Sequence, residues 1–328
     1  MKLTNNTDIS LSLAVWLATD DYDYNADPQY ISATTLLKSI RQIILGSRIT
    51  ATKTTQDINN TVASHMGTAL HNAIEHSWES NHKQALSDLG YPPSVIDKIL
   101  INPTPVEIKP DSLCVYMERR ADKAINNYII SGKFDFVMDG VLEDFKSMGT
   151  YGYTNNTNTE KFRLQGSIYR WLNPDIIKAD YMRIQYLFTD WSALKAKIEA
   201  NKGYPEHRLL SQKLTLLSHA QTESFINQKL TQIDTYTTVA EPALPPCTQE
   251  ELWQSNPIFA YYKNPNKTTR STANFKDYYE AHARMIADGS VGVVLERKGT
   301  IKACNYCNAY NMCTQKDEYI ANGLLKEN

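Results

Sequence analysis

The chain has 328 residues, enough to bury a substantial core, and the usual scale of about 150 residues per domain allows one elaborated domain or two small ones. Its 34 lysines and arginines against 36 aspartates and glutamates give a formal net charge of -2 and a pI of about 6.4, which excludes a bulk positive field for finding nucleic acid but leaves local basic clusters open. The first residues, MKLTNNTDIS, lack a charged-then-apolar leader, and stretches such as LAVWLA fall far short of a membrane span, so a soluble intracellular protein is expected.

Along the chain, ISATTLLKSIRQIILG at 31–46 opens with cap-forming Ser32 and Thr34 and then places Leu36, Leu37, Ile40, Ile43 and Ile44 on one face, which predicts an amphipathic helix. A second helix is predicted from about Val62 to Ser80, with Met66, Ala69, Leu70, Ala73 and Ile74 as its packed stripe and His71 and Glu75 sharing a face. From Leu113 the pattern changes, and SLCVYMERR, NYIISGKFDFVMDG, VLEDFKS and, from residue 181, YMRIQYLFTDW read as strands. Between the third and the fourth lie an Asn/Thr-rich loop, TYGYTNNTNTE, and a helix, KFRLQGSIYRWL. The order β-β-β-α-β behind leading helices predicts an α/β fold, a central mixed β-sheet flanked by helices. Residues 205–240 read as helical, PALPPC at 242–247 as a linker, and a short helix is predicted around Asn274 to Asp288 before a cysteine-rich tail.

The hairpin GKFDFVMDGVLEDFKS sets acids and lysines among apolar residues. Asp139-Gly140 suits a two-residue turn, because both central residues of a type I′ turn need positive φ. That register opposes Met138 to Val141, Val137 to Leu142, Phe136 to Glu143 and Asp135 to Asp144. Alternation then puts Asp144 and Lys146 on the face of Asp135 and turns Glu143 and Phe145 away. Opposed carboxylates in a sheet repel each other unless a proton or a cation lies between them. A divalent cation resolves the conflict, with Mg²⁺ natural for oxygen ligands, and Lys146 beside it would orient an attacking water or help to deprotonate it. From the hairpin alone, the alternative is an ordinary surface ion pair.

Five cysteines occur, and KACNYCNAYNMCTQ sets three of them in a C-x2-C-x5-C array. In a reducing compartment such an array points to a metal centre before disulfides, and three thiolates so spaced can wrap one centre.

With G-x-x-D at Gly132 to Asp135, D-F-K at Asp144 to Lys146, G-x-x-x-H at Gly67 to His71 and Q-x-x-x-Y at Gln165 to Tyr169, the chain resembles the RecB-like branch of the PD-(D/E)XK nucleases over roughly residues 31–195. It looks in particular like phage-encoded members of that branch. The resemblance implies a restriction-endonuclease-like core at 1–240, with helices at its N-terminal side, and a metal- or cluster-binding segment at 241–328 packed on the core. It implies His71, Asp135, Asp144 and the backbone carbonyl of Phe145 as ligands of Mg²⁺ or Mn²⁺. Lys146 matches the residue that positions or activates water, and Gln165 and Tyr169 match the pair that supports the site and contacts DNA. Asp144 stands where many relatives carry Glu. The implied activity is metal-dependent hydrolysis of DNA phosphodiesters, as an exonuclease on ends or single strands in recombination, repair or phage DNA metabolism. Arg119, Arg120, Lys161, Arg163 and Arg170 flank the site as candidate phosphate contacts.

The cysteine tail is similar to that of iron–sulfur nucleases of the AddB type, which implies a [4Fe-4S] cluster; a structural Zn²⁺ held by four cysteines is the alternative. Those relatives take their first cysteine from the early helix, and LLKSIRQIIL has none. Cys247 is therefore favoured as the fourth ligand beside Cys304, Cys307 and Cys313, while Cys114 reads as a buried apolar filler in a strand. Expected partners are DNA and a recombination or single-strand-binding protein; no membrane partner is expected, and the location implied is the cytoplasm, the host's if the chain is phage-encoded. The alternative function is a catalytically silent, cluster-bearing DNA-binding or assembly protein, against which intact Asp135, Asp144 and Lys146 speak. Polarity, endo- or exonucleolytic mode and oligomeric state stay open.

Overall fold

Seven strands between residues 30 and 215 assemble into one mixed sheet in the computed structural model, which describes residues 2–20, 25, 27–49 and 55–326, while Thr55–Asp57 pairs separately with Lys2–Thr4. Contacts divide the chain into two units, Met1–Leu37 with Thr50–Leu230, and Lys38–Ile49 with Thr231–Asn328. The first unit holds β1 (Tyr30–Ser32), α1 (Val62–Asp88), β2 (Ile99–Ile101), β3 (Leu113–Ile125), β4 (Tyr128–Met138), β5 (Val141–Met148), α2 (Thr159–Leu172), β6 (Tyr181–Phe188), β7 (Leu209–Thr215) and most of α3 (His219–Tyr236). The order across the seven-stranded sheet is β2-β3-β4-β5-β6-β7, with β1 also paired to β4. The β1–β4, β2–β3 and β5–β6 pairs are parallel and the others antiparallel, so the mixed sheet flanked by helices is as the element order predicted.

Four local expectations are corrected. The run 31–46 is not one helix: Ser32 ends β1 and accepts from the Thr35 N–H to start Ala33–Leu36, and Ser39 accepts from the Gln42 N–H to start Ile40–Ser47. A second capping serine inside an apolar run begins a new helix there. Residues 205–240 are helical only over α3; LLSQKLT forms β7, with Leu210, Gln212 and Leu214 turned inward in alternation and the strand laid antiparallel on β6. The TYGYTNNTNTE segment is not all loop, since Thr150–Thr154 is helical. Finally, α1 presents a different stripe from the one expected. Met66, Ala69 and Ala73 are exposed, while Leu70 and Ile74 of the expected stripe are half-buried together with His71, Glu75 and Trp78, among others, and no residue of the helix is fully buried.

The two helices that matter most cover opposite sides of the middle strands. Trp78 and Leu86 of α1 pack with Ile99, Val115, Met117 and Phe136. On the other side Gly166 of α2 lies so close to Met182 that an added Cβ would stand 2.2 Å from the methionine sulfur. Further along β4, an added Cβ on Gly132 would stand 2.8 Å from Leu172 and 2.9 Å from the Tyr169 ring, so glycine permits the close approach of strand and helix just before Asp135.

At Glu118 the backbone of β3 takes a φ of 49°, a left-handed conformation for a non-glycine residue in mid-strand. Before it, Val115 and Met117 face α1; after it, Lys123, of the same parity, lies 3.9 Å over the Trp171 ring of α2. The face presented by the strand thus changes at Glu118, opposite Asp135 in the antiparallel register of β3 with β4.

The second unit contains the Ile40–Ser47 helix, β8 (Ile258–Tyr262), β9 (Ala273–Phe275), α4 (Tyr278–Ala287), β10 (Val293–Arg297) and α5 (Gln315–Ala321). β8 lies between β9 and β10, antiparallel to both. The helix expected from Asn274 starts at Tyr278, because Asn274 pairs in β9 and Asp277 caps the helix through the Tyr279 and Glu280 N–H groups. Among the described residues no helix is long and apolar enough to cross a membrane.

Candidate active site and cysteine cavity

Asp139 and Gly140 have φ of 49° and 77°, as a two-residue I′ turn requires, and β4 and β5 pair at Met138–Val141, Val137–Leu142 and Phe136–Glu143. The ladder stops there, one pair short of Asp135 and Asp144, which corrects the expected direct opposition. The Phe145 N–H instead donates to Asp135 Oδ2 at 2.9 Å, so the carboxylate itself spans the parted strands.

The faces of β5 separate the groups as alternation requires. Glu143 accepts from Gln185 Nε2 at 2.8 Å and pairs with Arg183, and Phe145 packs against Phe136 and His71. On the other face Asp144 is 1% exposed and Lys146 Nζ stands 2.5 Å from its Oδ2, off the direction a hydrogen bond needs; neither carboxylate oxygen has a hydrogen-bond partner. Lys146 also lies 5.2 Å over the Phe162 ring of α2.

Burial, and then the charge of Asp144, push the Asp135 carboxyl up to about 7. Burial opposes the ammonium of Lys146, but Asp144 and Asp135 outweigh it and hold the lysine above its ordinary value. His71 reaches in from α1: its Nε2 is 3.2 Å from the Phe145 carbonyl, and its Nδ1 is 3.6 Å from both Asp135 Oδ1 and Glu118 Oε1. Burial works against the imidazolium, yet Glu118, Asp135 and that carbonyl together raise the His71 value.

Glu118 is a candidate site residue that sequence reading missed. It meets His71 and Lys133, and these contacts overcome burial to keep its carboxyl low. With His71 and Asp135 it brings three ligand-type atoms within 4.8 Å of one another. The signal was present: Asn126-Asn127 is another short turn, closed by Ile125 and Tyr128, and counting back from it sets Glu118 across from Asp135. Glu75, one turn from His71, is half-buried, and burial followed by the charges of Glu118 and Glu79 raises its carboxyl.

Gln165 donates to the Tyr169 hydroxyl at 2.8 Å on α2, and Tyr169 is buried against Gly132. Of the basic candidates, Arg163 bonds the Thr215 carbonyl and Glu160, Arg120 donates to Ser131, and Arg119 lies over the Tyr116 ring. These contacts hold strands and helix ends together. Lys161 is half-buried, and Arg170 keeps a buried Nε without a hydrogen-bond partner.

In the second unit, Cys247, Cys304, Cys307 and Cys313 line one cavity together with Arg41, Tyr310 and Tyr319. The tail curls in three-residue turns, Cys307 N–H to the Cys304 carbonyl, Tyr310 N–H to Cys307 and Cys313 N–H to Tyr310, which stacks these side chains on one side. All are free thiols. Burial, then the neighbouring cysteines, push Cys304 up to about 11, and burial raises Cys247 and Cys307. Ser39 and Arg41, from the helix start, contact the sulfurs of Cys247 at 3.3 Å and Cys313 at 3.2 Å. Cys114, expected to be buried, is only half-buried in β3, where its neighbour β2 is three residues long.

No known family matches the chain, and no curated protein does. Among solved structures it is distantly similar to SSO0001, with a TM-score of 0.41 and 14% identity over 68% of this chain and 91% of that one. It is also distantly similar to a phage-related exonuclease from Haemophilus somnus 129PT, with a TM-score of 0.24 and 14% identity over 36% of this chain and 57% of that one.

Proposed function

We propose that the first unit is a metal-dependent deoxyribonuclease of the PD-(D/E)XK type, acting as an exonuclease on DNA ends or single strands. The observation that carries this reading is Asp144: a carboxylate 1% exposed, with neither oxygen hydrogen-bonded, beside a second carboxylate that its charge helps to protonate. Lys146 offsets its charge, but both oxygens keep lone pairs that no hydrogen bond fills, which a divalent cation would occupy and a scaffold does not require. By residue type His71, Asp135, Asp144 and the Phe145 carbonyl would suit Mg²⁺ or Mn²⁺, the imidazole favouring Mn²⁺; His71 and Asp135 draw their ligand atoms together with Glu118, and Asp144 stands outside that group. Such an ion supplies Lewis acidity toward the phosphate and lowers the pKa of a bound water.

The remaining roles belong to the chain. Lys146, kept as an ammonium by its two carboxylates, donates to and orients the attacking water rather than taking its proton. Glu118 holds Nδ1 of His71, so that Nε2 is directed to the Phe145 carbonyl side, as a carboxylate orients a metal-bound histidine. Phe162 covers Lys146 and limits access of bulk water to it. Gln165 and Tyr169 brace this wall of the site, and Lys161 and Arg170 are the basic side chains on the same helix for a phosphate backbone.

The cysteine cavity is read as a [4Fe-4S] site held by Cys247, Cys304, Cys307 and Cys313. The thiols of Cys247, Cys304 and Cys307, pushed up by burial, need a metal to ionise. Among the described residues, no three of the four sulfurs lie within 4.8 Å of one another. Four thiolates around one zinc at about 2.3 Å stand about 3.8 Å apart, so the wider spacing favours a centre with several metal ions.

The test is cleavage of labelled linear and circular DNA, single- and double-stranded, with Mg²⁺, Mn²⁺ or chelator. Metal-dependent cleavage of substrates with free ends, lost in Lys146→Ala, is expected. No metal-dependent cleavage of any substrate, with Lys146→Ala indistinguishable from the parent, would refute the enzyme.

A further inference from the structure

Arg41 carries a permanent charge yet is 5% exposed. Each arm of its guanidinium has a partner within the second unit. Nε donates to Cys313 Sγ at 3.2 Å, Nη1 to the Leu244 carbonyl at 3.0 Å, and Nη2 to the Glu241 carboxylate. Glu241 also accepts from the Thr314 N–H at 3.0 Å and the Thr314 hydroxyl at 2.8 Å, on the residue next to Cys313. Cys313 is thus gripped twice, at its sulfur by the guanidinium and through its neighbour by the guanidinium's counter-ion.

The division of the fork is informative. An arginine beside a carboxylate gains most by giving both Nε and Nη2 to it, in the parallel two-bond arrangement. Arg41 gives the carboxylate one arm and turns Nε to a sulfur. A sulfur bound to a metal is a better acceptor than a neutral thiol, so an arm turned to Cys313 suits a ligand sulfur. The helix that carries Arg41 also sets Ser39 Oγ 3.3 Å from Cys247 Sγ, so one helix start addresses two of the four sulfurs without contributing a cysteine.

We propose that Arg41 is the positioning and charge-compensating residue of the four-cysteine centre: its Nε–H holds the Cys313 sulfur, and its buried charge raises the electron affinity of the cluster bound there. Four thiolates give such a centre a net negative charge, and both a hydrogen bond to a ligand sulfur and a nearby cation favour its more negative, reduced form. Arg41 thereby sets the midpoint potential of the centre higher than the four thiolates alone would leave it. The inference rests on the iron–sulfur reading of the cavity.

The experiment compares the full chain with Arg41→Lys and Arg41→Gln, purified without oxygen. Iron and sulfide content, midpoint potential and the alkylation rate of each cysteine by mass spectrometry are measured. Arg41→Gln is expected to keep its cluster, to shift the midpoint to a more negative potential and to make Cys313 the fastest of the four to be alkylated. Arg41→Lys, which keeps the charge without the Nε–H direction, should fall between. An unchanged midpoint with an unchanged rank of Cys313 overturns the proposal. If Arg41→Gln loses its cluster, Arg41→Lys carries the potential measurement. Alkylation of the metal-free chains then decides the contact: acceleration at Cys313 alone supports it, and equal acceleration at all four means general loosening and overturns it. A parent chain without iron would refute the cluster and its redox role, while the same metal-free alkylation still tests whether Arg41 holds Cys313.

Discussion

The two candidate sites gather groups that burial disfavours, and they balance them differently. In the first unit the compensation is local: Lys146 lies two residues from Asp144, and Glu118 stands opposite Asp135 in a strand pair closed by a short turn. That site can adjust itself with a proton on Asp135. In the second unit three thiols are pushed up by burial, and the compensating charge on Arg41 lies 272 residues from Cys313. Each of these thiols keeps its proton, but a neutral thiol makes only weak hydrogen bonds, so without a metal little holds the cysteines together. The carboxylate site should therefore tolerate an empty state far better than the cysteine cavity does.

The largest effect that would break this contrast comes from the cysteines. Structural metals contribute on the order of 10 kcal/mol to small domains that depend on them. Cys304→Ser is expected to abolish slow hydrogen exchange in β8 and α5 while β4, β5 and β6 stay protected. Equal loss in both units would contradict it.

Next comes Asp144→Asn. Cleavage should fall by about 1,000-fold or more, since a cation ligand and the partner of Lys146 are both lost. Melting temperature should change by only a few degrees, because Asp135 then ionises and pairs with Lys146. A collapse of the fold would show that the site is not self-balancing.

A smaller effect sharpens the role of the proton. Asp135 titrates at about 7 in the fold, against about 3.9 in an unfolded chain. Between those values the folded chain binds more protons than the unfolded one, so metal-free stability falls as pH rises through this window. A cation removes the penalty. The rise in melting temperature caused by Mg²⁺ should therefore grow from about pH 4 to about pH 7 and then level, whereas a pH-independent rise would contradict proton displacement.

The smallest concerns the backbone at Glu118. Glycine is at ease at a φ of 49° and alanine is not. Glu118→Gly should be more stable than Glu118→Ala by about 1 kcal/mol in urea unfolding, while both lose activity alike. Equal stability would remove the left-handed strain from the account of the site.

Much of the first unit was legible because its signals are local. The Asp139-Gly140 turn fixed the hairpin register for three pairs, and the alternation that separated Glu143 from Asp144 is the one observed. The direct opposition of Asp135 and Asp144 was not legible, because the strands part where the Phe145 N–H turns to a carboxylate, a choice no pairing rule contains. The stripe of α1 was misjudged in part for a related reason: its inward side carries His71 and Glu75 beside Leu70 and Ile74, so ranking residues by hydrophobicity also selected Met66, Ala69 and Ala73, which are exposed. β7 was mistaken for helix although its alternation of burial is plain in the fold, because its partner is β6, far from any turn that would mark it. In the second unit the C-x2-C-x5-C spacing was readable, but Arg41 was not, since only the folded chain brings it to Cys313.

The placement of the Ile40–Ser47 helix has a consequence for the order of events during synthesis. It leaves the ribosome well before residues 231 onward, with which it belongs, and the intervening stretch forms a separate unit. Domains form as their residues emerge, so the sheet of the first unit can close while Arg41 still lacks Glu241, Leu244 and Cys313. The cysteine cavity is finished only after that unit, when Cys304, Cys307 and Cys313 emerge and meet a helix that has waited through the synthesis of the intervening stretch. Any metal it holds is thereby loaded into a chain whose other half is already folded.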